Sequence, residues 1–233
     1  MSKHFLTVAV VAIASSSSAF AEGRFSARLG TTDMDLTTVY SGGPADASYT
    51  STNYGITYSM DNGFYVDYGA KSGSNDDSGG VGEGFSRDEV TYSIGRSMGN
   101  GYTVFGGYQL AEAELDFAAG SVLGGETIDI DGFFVGGGRS IPLNNGVLSL
   151  SAAYAFLDLE IGYYNVANKI SGDGDGYSLA AVYTYPVNDM VYINAEYRQQ
   201  VYNLTSTGEG GFGGALDQDD DLQVLGLNLV YNF

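Results

Sequence analysis

The 233-residue sequence contains no cysteine and no tryptophan, one histidine and three prolines. Without cysteine the chain forms no disulfide, so backbone pairing and packing must supply its stability. Its 9 lysines and arginines stand against 28 aspartates and glutamates, which gives a formal net charge of -19. This imbalance argues against nucleic acid and other polyanions as partners, because they bind to basic patches. The excess of carboxylates suits an environment rich in divalent cations.

Long apolar runs are equally scarce. The one such run in the first 21 residues, Phe5 to Ala14, is too short to span a bilayer as a helix, which takes about 20 residues. A lysine and a histidine precede it, and "AFA" at 19–21 follows it. A charged start, a short apolar segment and a small-x-small site are the parts of a secretory signal peptide, and they favour it over a buried helix. We therefore predict a signal peptide at 1–21 and one mature domain at 22–233, which has no apolar stretch long enough for a transmembrane helix.

Glycine, tyrosine and phenylalanine are abundant, with 35, 19 and 12 residues. Aromatic residues favour strands, and glycine favours turns and crowded backbone positions. Apolar and polar residues alternate with a period of two in ten segments, for example in the last one, where Leu225, Leu227 and Leu229 share a face. Short turns and longer acidic, glycine-rich loops alternate between these segments. The turns are predicted at 61–63, 99–101, 142–146 and 186–189, and the loops at about 33–48, 72–86, 112–126, 158–175 and 203–220.

Two closed architectures fit this pattern: a soluble barrel with its apolar face inside, and an outer-membrane barrel with that face outside. The apolar faces carry bulky residues that a narrow interior could hardly enclose, whereas the opposite faces are rich in small residues. Tyrosine and phenylalanine recur near the ends of the apolar rows, as at a membrane–water interface. A bilayer also requires every backbone group to be paired, which only a closed sheet achieves. We predict an all-β protein, a transmembrane antiparallel up-and-down β-barrel of ten strands, with eight strands as the alternative.

The sixth segment has an ambiguous parity. We expect Ile128, Ile130 and Phe134 to face lipid, although Phe133 and Val135 fall on the opposite side of the two-residue repeat. This ambiguity in residues 128–140 is the reason why eight strands remain the alternative to ten.

The last residues Leu229, Tyr231 and Phe233 resemble the terminal-strand signature of bacterial outer-membrane proteins. Together with the signal peptide and the rhythm of turns and loops, residues 22–233 resemble the small outer-membrane β-barrel family of the OmpA/OmpX/Opa-like type. The resemblance implies the outer membrane of a Gram-negative bacterium, contact with its lipid and lipopolysaccharide, and recognition of the three terminal residues by the barrel-assembly machinery. Many members have eight strands, against ten here, so no closer subfamily is assigned.

Catalysis is not expected. The enzymes among outer-membrane barrels place a histidine in the active site, and the only histidine here, His4, lies in the predicted signal peptide. "GRSMG" at 95–99 matches a serine-hydrolase pattern, but it lies where a strand enters a turn, so chance explains it better. "GEGGFG" at 208–213 matches a dinucleotide-binding pattern, but no helix follows it.

The faces opposite the apolar rows carry charges of both signs. We predict that they form a network of ion pairs inside the barrel, because buried charges must be paired. The predicted members are Arg24, Arg28, Asp67, Lys71, Arg87, Glu89, Asp129, Asp131, Arg139, Glu196 and Arg198. Such a network would either plug the lumen or line a narrow pore that weakly prefers cations. Arg96 shares the apolar parity and is expected at the periplasmic rim.

Two acidic segments are weak candidates for binding calcium, which prefers oxygen ligands. Their carboxylates are Asp173, Asp175, Asp217, Asp219, Asp220 and Asp221. Neither segment has the spacing of an EF-hand, and solvated charge that keeps loops extended explains both of them better. The prediction is therefore that no cofactor or metal is needed.

These observations favour a non-enzymatic protein of the cell envelope with a structural or surface role. The first alternative is a small porin-like channel for ions or small solutes, and the second is an adhesin that acts through its acidic loops. The sequence names no solute or receptor, and it leaves the oligomeric state open.

Overall fold

The computed structural model describes residues 23–40, 43–75, 84–116, 124–164, 166–206 and 216–233, and the predicted signal peptide lies outside these ranges. Strands occupy nearly all of this part of the chain. They are β1 (Gly23–Tyr40), β2 (Gly43–Met60), β3 (Phe64–Asn75), β4 (Gly84–Ser97), β5 (Tyr102–Asp116), β6 (Gly125–Leu143), β7 (Gly146–Tyr163), β8 (Val166–Pro186), β9 (Val191–Ser206) and β10 (Leu216–Asn232). Within the described ranges, no helix is both long and apolar enough to cross a membrane.

The strands form a closed antiparallel barrel. Each strand pairs with its neighbours in the sequence, and β1 closes the ring by pairing with β10 from Ser26↔Asn232 to Val39↔Asp219. The prediction of a ten-stranded up-and-down barrel is therefore confirmed, and the eight-stranded alternative is wrong.

The strands are staggered around the ring. A row of paired residues that starts at Ala27 runs through Ile56 and each following strand, and it returns to β1 at Val39. The row therefore gains twelve residues in one circuit, from position 27 to position 39. Such a stagger means that the strands tilt away from the barrel axis, so a row of neighbouring side chains climbs obliquely around the wall.

Short turns join the strands at one end, as predicted. Gly63 and Gly101 have φ values of 85° and 83°, in the left-handed region that glycine adopts without strain. The predicted long loops are largely wrong, because β1 continues to Tyr40, β7 continues to Tyr163 and β10 already begins at Leu216. The alternation continues into these acidic segments, so the strands extend well past the apolar rows.

Near the short turns, large apolar side chains point out of the barrel. Leu29, Phe133 and Leu225 are 62%, 67% and 63% exposed. Outward residues of this kind occur on all ten strands and form what we call the apolar belt. The inward positions of the same segments hold glycine, serine, threonine and alanine with a few charged residues, as in transmembrane barrels.

Toward the opposite end, the two faces exchange character. Inward side chains there are apolar and buried in two clusters that Ile128 joins, and we call this layer the apolar plug. Its residues are Met34, Leu36, Tyr49, Phe85, Ala111, Ala113, Ile130, Ala155, Leu157, Leu159, Ile161, Tyr202, Leu204, Leu222 and Val224. Outward positions at the same height carry carboxylates. At this end most strands therefore have the pattern of a soluble barrel, with apolar side chains inside and polar side chains outside.

Strand β6 corrects the predicted parity. Ile128, Ile130 and Phe134 face the interior, whereas Phe133 and Val135 are 67% and 58% exposed on the outside. The prediction applied one rule, apolar side outward, to the whole strand. The rule holds in the belt but reverses in the plug, where the interior is the dry side.

Three aromatic rings inside the barrel lie flat against glycines. A Cβ atom added to Gly95 would come within 2.5 Å of the Tyr65 ring, and one at Gly136 would come equally close to the Phe105 ring. Gly107 makes the same room for Phe134. Glycine at these positions lets bulky rings fill a narrow tube.

The orientation of the faces can be tested by cysteine labelling, since the chain has no native cysteine. Leu150 is 44% exposed on the outside, whereas Ser149 points inward, where its hydroxyl lies 2.9 Å from that of Ser140. We expect a thiol probe confined to the lipid phase to label L150C and to leave S149C unlabelled in reconstituted membranes. Preferential labelling of S149C, or a folded monomer in solution without any amphiphile, would contradict the membrane orientation.

Candidate functional site

Charged residues meet inside the barrel below the apolar plug. Arg28 on β1 donates two hydrogen bonds to the carboxylate of Asp67 on β3, at 2.7 and 3.0 Å. The hydroxyl of Thr57 donates a third bond to Asp67 at 2.5 Å. A two-pronged bond between guanidinium and carboxylate fixes the orientation as well as the distance, so this pair holds strands β1 and β3 in a defined relation across β2.

Two further ion pairs lie next to the first. Arg198 binds Glu196 on the same strand at 2.8 Å, and Lys71 lies 3.5 Å from Glu89, its cross-strand partner. The side chains of Lys71 and Glu89 are 18% and 8% exposed, so both charges are largely removed from water. Opposite charges at this depth offset each other's loss of hydration.

The ion pairs line a cavity of about 380 Å³, which we call the polar chamber. Asn53, Gln109, Gln200 and Asn228 complete its polar wall. The side-chain carbonyl oxygens of Asn53, Gln200 and Asn228 have no hydrogen-bond partner in the described part of the protein. Buried polar atoms in such a position are normally satisfied by water, so the chamber is built to be wet.

The apolar plug covers the polar chamber on the side away from the short turns. Leu222 is fully buried, and Ile161, Leu204 and Val224 are each 1% exposed. Arg87 reaches into this layer from β4 and is 5% exposed. Burial raises the pKa of the nearby Tyr49 and Tyr202 to about 12, so both phenols stay neutral. In the described residues, the lumen is thus closed by packed side chains.

The structure divides the predicted charge network. Inside the barrel lie Arg28, Asp67, Lys71, Arg87, Glu89, Glu196 and Arg198. Arg24 is exposed at the short-turn end of β1. Asp129, Asp131 and Arg139 face outward, which corrects their predicted position, because the parity of β6 is the reverse of the expected one.

Arg139 lies at the outer rim near the short turns. Its guanidinium stacks 5.1 Å from the ring centre of Tyr102, and Arg96 stacks 5.0 Å from that of Phe64. Both arginines combine an aromatic contact with a position at the edge of the apolar belt, where a long cationic side chain can reach the polar head groups.

Carboxylates lie on the outside of the barrel at the height of the plug on seven strands, β1, β4 to β8 and β10, and we call this band the acidic collar. Its members are Asp33, Asp35, Asp88, Glu112, Glu114, Asp116, Asp129, Asp131, Asp158, Glu160, Asp173, Asp175, Asp219 and Asp221. Several lie directly opposite one another on adjacent strands, in the rows Asp88↔Glu112↔Asp129↔Glu160 and Asp131↔Asp158↔Asp173. Like charges in such pairs destabilise a sheet. Within the described part of the collar, Lys169 pairs with Glu160.

Asp129 lies in the most crowded part of the collar. Burial raises the pKa of Asp129, and the neighbouring Glu160 and Asp131 raise it further against the opposing effect of Lys169. Cations from solution would relieve the part of this increase in pKa that comes from repulsion by Glu160 and Asp131.

The weak calcium candidates do not form a group. Asp173 and Asp175 lie on the outside of β8, Asp219 and Asp221 lie on the outside of β10, and Asp220 points inward and is 3% exposed. The side chain of Asp217 lies outside the described part. Among the described residues, no cluster of three or more carboxylate or histidine side chains is placed to hold a metal ion.

The neutral wall of the polar chamber was missed by the sequence analysis, which considered charged residues only. Asn53, Gln109 and Asn228 share the inward parity of their strands with glycine, serine and threonine. Their parity alone could have identified them. The plug could have been found from the switch of apolar residues to the opposite parity, for instance in β7 between Leu150 and Leu157.

The ion pair between Arg28 and Asp67 is expected to stabilise the folded protein. In D67N, Arg28 keeps its charge but loses its anionic partner, and we expect the free energy of unfolding to fall by about 3 kcal/mol. Urea unfolding of the refolded protein in detergent micelles measures the loss. D189N in an exposed turn is the matched control and should be unchanged; equal midpoints for D67N and D189N would contradict a structural role for the pair.

The stability of the protein is expected to depend on pH through Glu126. It lies at the loop end of β6 above the plug, and burial raises its pKa to about 7 from an ordinary value of 4.5. Because its charged form is disfavoured in the folded state, its contribution to stability is greatest below pH 4.5 and is lost as the pH rises to about 7.

Urea unfolding of E126Q tests this sign. We expect the variant to exceed the wild type in stability by about 1–3 kcal/mol in mildly alkaline buffer and to match it in acid. E114Q, which faces outward between neutral cross-strand neighbours, is the control. A gain that is the same at both pH values would rule out titration of Glu126 as its cause.

Comparison with known proteins supports the fold. No protein-family model and no curated protein matches the sequence. Among solved structures, the outer membrane protease OmpT from Escherichia coli is similar with a TM-score of 0.57 and 12% identity, over 92% of this chain and 98% of that one. The translocator domain of the autotransporter NalP from Neisseria meningitidis has a TM-score of 0.49 and 13% identity, over 91% and 88%. Neisserial surface protein A has a TM-score of 0.37 and 14% identity, over 90% and 97%.

At 12% identity the likeness to OmpT concerns the fold and not the activity. The chain has the fold of outer-membrane β-barrel proteins.

Proposed function

We propose that this protein is a non-enzymatic barrel with a structural role in the outer membrane of a Gram-negative bacterium. The observation that carries the proposal is the apolar plug, which closes the lumen with fully buried side chains such as Leu222 and Leu204. A barrel whose lumen is filled in this way spans the membrane but does not conduct solutes across it.

The charges inside the barrel support a non-enzymatic role. Asp67, Glu89 and Glu196 each lie beside a cation. After residue 21 the chain has no histidine or cysteine, so the serines that line the polar chamber have no histidine to act as their general base.

The acidic collar supports a partner for this role. It begins where the apolar belt ends, at the height where lipid head groups meet the barrel wall. Rows of opposed carboxylates would be stabilised by divalent cations, and such cations also bind phosphate groups. We propose that the collar meets the phosphates of lipopolysaccharide through divalent bridges.

Envelope integrity tests the structural role. A strain that lacks the gene should admit more of a bulky apolar dye than its parent, and a plasmid-borne copy should restore the barrier. Unchanged dye entry in the deletion strain would contradict the proposal.

A porin-like channel is the second candidate, because the polar chamber would form part of a pore if the plug moved. Planar-bilayer recording separates the two functions. We expect the wild-type protein to give no discrete openings, since the packed layer that includes Leu157, Leu204 and Leu222 blocks the lumen. Reproducible unitary steps from folded wild-type protein would support the channel and overturn the closed barrel.

The collar is tested by its response to magnesium. In membranes that contain lipopolysaccharide, magnesium should raise the temperature of unfolding, and D131N/D158N/D173N should lose most of this increase. In zwitterionic membranes magnesium should have a smaller effect. An equal increase in both membranes would show that the phosphates play no part.

A further inference from the structure

The outside of the barrel carries a groove within the apolar belt. It has a volume of about 960 Å³ and extends from Phe25 on β1 to Phe133 on β6, with Tyr58 and Val66 on one side and Tyr108 on the other. We call it the outer groove. One water molecule occupies about 30 Å³ in the liquid, so the groove is large enough for a much larger molecule. Its walls are almost entirely apolar.

An oblique row of aromatic rings forms the upper wall of the outer groove. Tyr68, Tyr92, Tyr108, Phe133 and Phe156 are paired in sequence across five neighbouring strands. The ring centres of Tyr68 and Tyr92 are 5.4 Å apart, and those of Tyr108 and Phe133 are 4.7 Å apart. Ring pairs at these distances stabilise each other by about 0.5–1.5 kcal/mol beyond the burial of their area, so the wall is continuous and aromatic.

A glycine forms the floor of the outer groove. In the outward row next to the rings, Gly106 lies between Ile94 and Val135, which are 57% and 58% exposed. A Cβ atom at Gly106 would meet only the Phe134 carbonyl oxygen at 3.3 Å and a Val135 methyl at 3.7 Å. At the inward Gly107, by contrast, it would lie 2.1 Å from the Tyr92 carbonyl oxygen. Packing therefore requires glycine at 107 but not at 106, where its effect is to open the groove.

The surroundings of the outer groove define what fills it. In the membrane orientation proposed above, the groove opens to lipid, so its occupant is hydrocarbon. At its upper end, Tyr108 donates a hydrogen bond to Asp131 of the acidic collar. An apolar groove that leads up to a carboxylate collar matches an amphiphile with its chain in the groove and its head group at the collar.

We propose that the outer groove is a fixed binding site for one acyl chain of a lipid of the surrounding membrane. The inference rests on the proposed membrane location and adds a specific lipid position to it. Gly106 provides the space, the aromatic row provides the wall, and the nearby collar places the head group.

Native mass spectrometry of protein extracted from membranes in mild detergent tests the site. We expect one retained lipid per wild-type barrel, and about tenfold lower occupancy in G106L because the new side chain fills the floor. G137L is the matched control. Gly137 also faces outward, a Cβ atom there would lie 3.4 Å from the nearest backbone oxygen, and it does not line the groove. Its lipid should be retained.

The inference would be overturned if the wild type retained no lipid, or if G106L and G137L lost lipid equally. A dimer mass that G106L abolishes would also overturn it, because the groove would then bind a second copy of the chain. Heat-modifiable migration on gels checks folding, and I94F narrows the groove from its other side should G106L not fold. If L150C is labelled from the lipid phase and no lipid is retained, the acyl-chain site fails while the membrane location stands.

Discussion

The structure depends on the closure of its backbone hydrogen bonds into a ring. Each strand pairs with both neighbours, and the pairing of β1 with β10 removes the last free edges. Without closure, a sheet in a bilayer would leave rows of unpaired amide and carbonyl groups in hydrocarbon, at a cost of several kcal/mol for each group, roughly. Closure also imposes the period of two on the sequence and leaves the side chains free to differ between inside and outside.

The same strands meet two different surroundings, and the side chains reverse accordingly. In the apolar belt the dry side is outside, so Leu29 and Leu225 point outward. Beyond the belt the dry side is the interior, so Leu222 and Leu204 point inward while carboxylates face out. The reversal closes the lumen and also creates the collar, which links the proposed structural role to a single change that recurs along most of the strands.

The sequence was sufficient to predict the barrel and its strand number, because ten stretches of alternation and the terminal row of Leu229, Tyr231 and Phe233 are local signals. It was insufficient for the parity of β6. Ile130 and Phe133 are both apolar and three residues apart, so one faces in and the other out, and only the pairing with neighbouring strands settles which. The sequence was also insufficient to predict that Arg28 pairs with Asp67. The two residues are 39 positions apart, and their contact depends on the stagger between strands β1 and β3.

The apolar plug has a consequence for how the molecule assembles. Its leucines and isoleucines have the wrong parity to be sheltered by lipid, and they lie on strands from both halves of the chain, such as β1 and β10. Until β1 and β10 pair, the barrel interior is open and these side chains cannot be buried away from water. The plug can therefore be buried completely only when the ring closes, and its packing adds side-chain contacts to the hydrogen bonds that join β1 to β10.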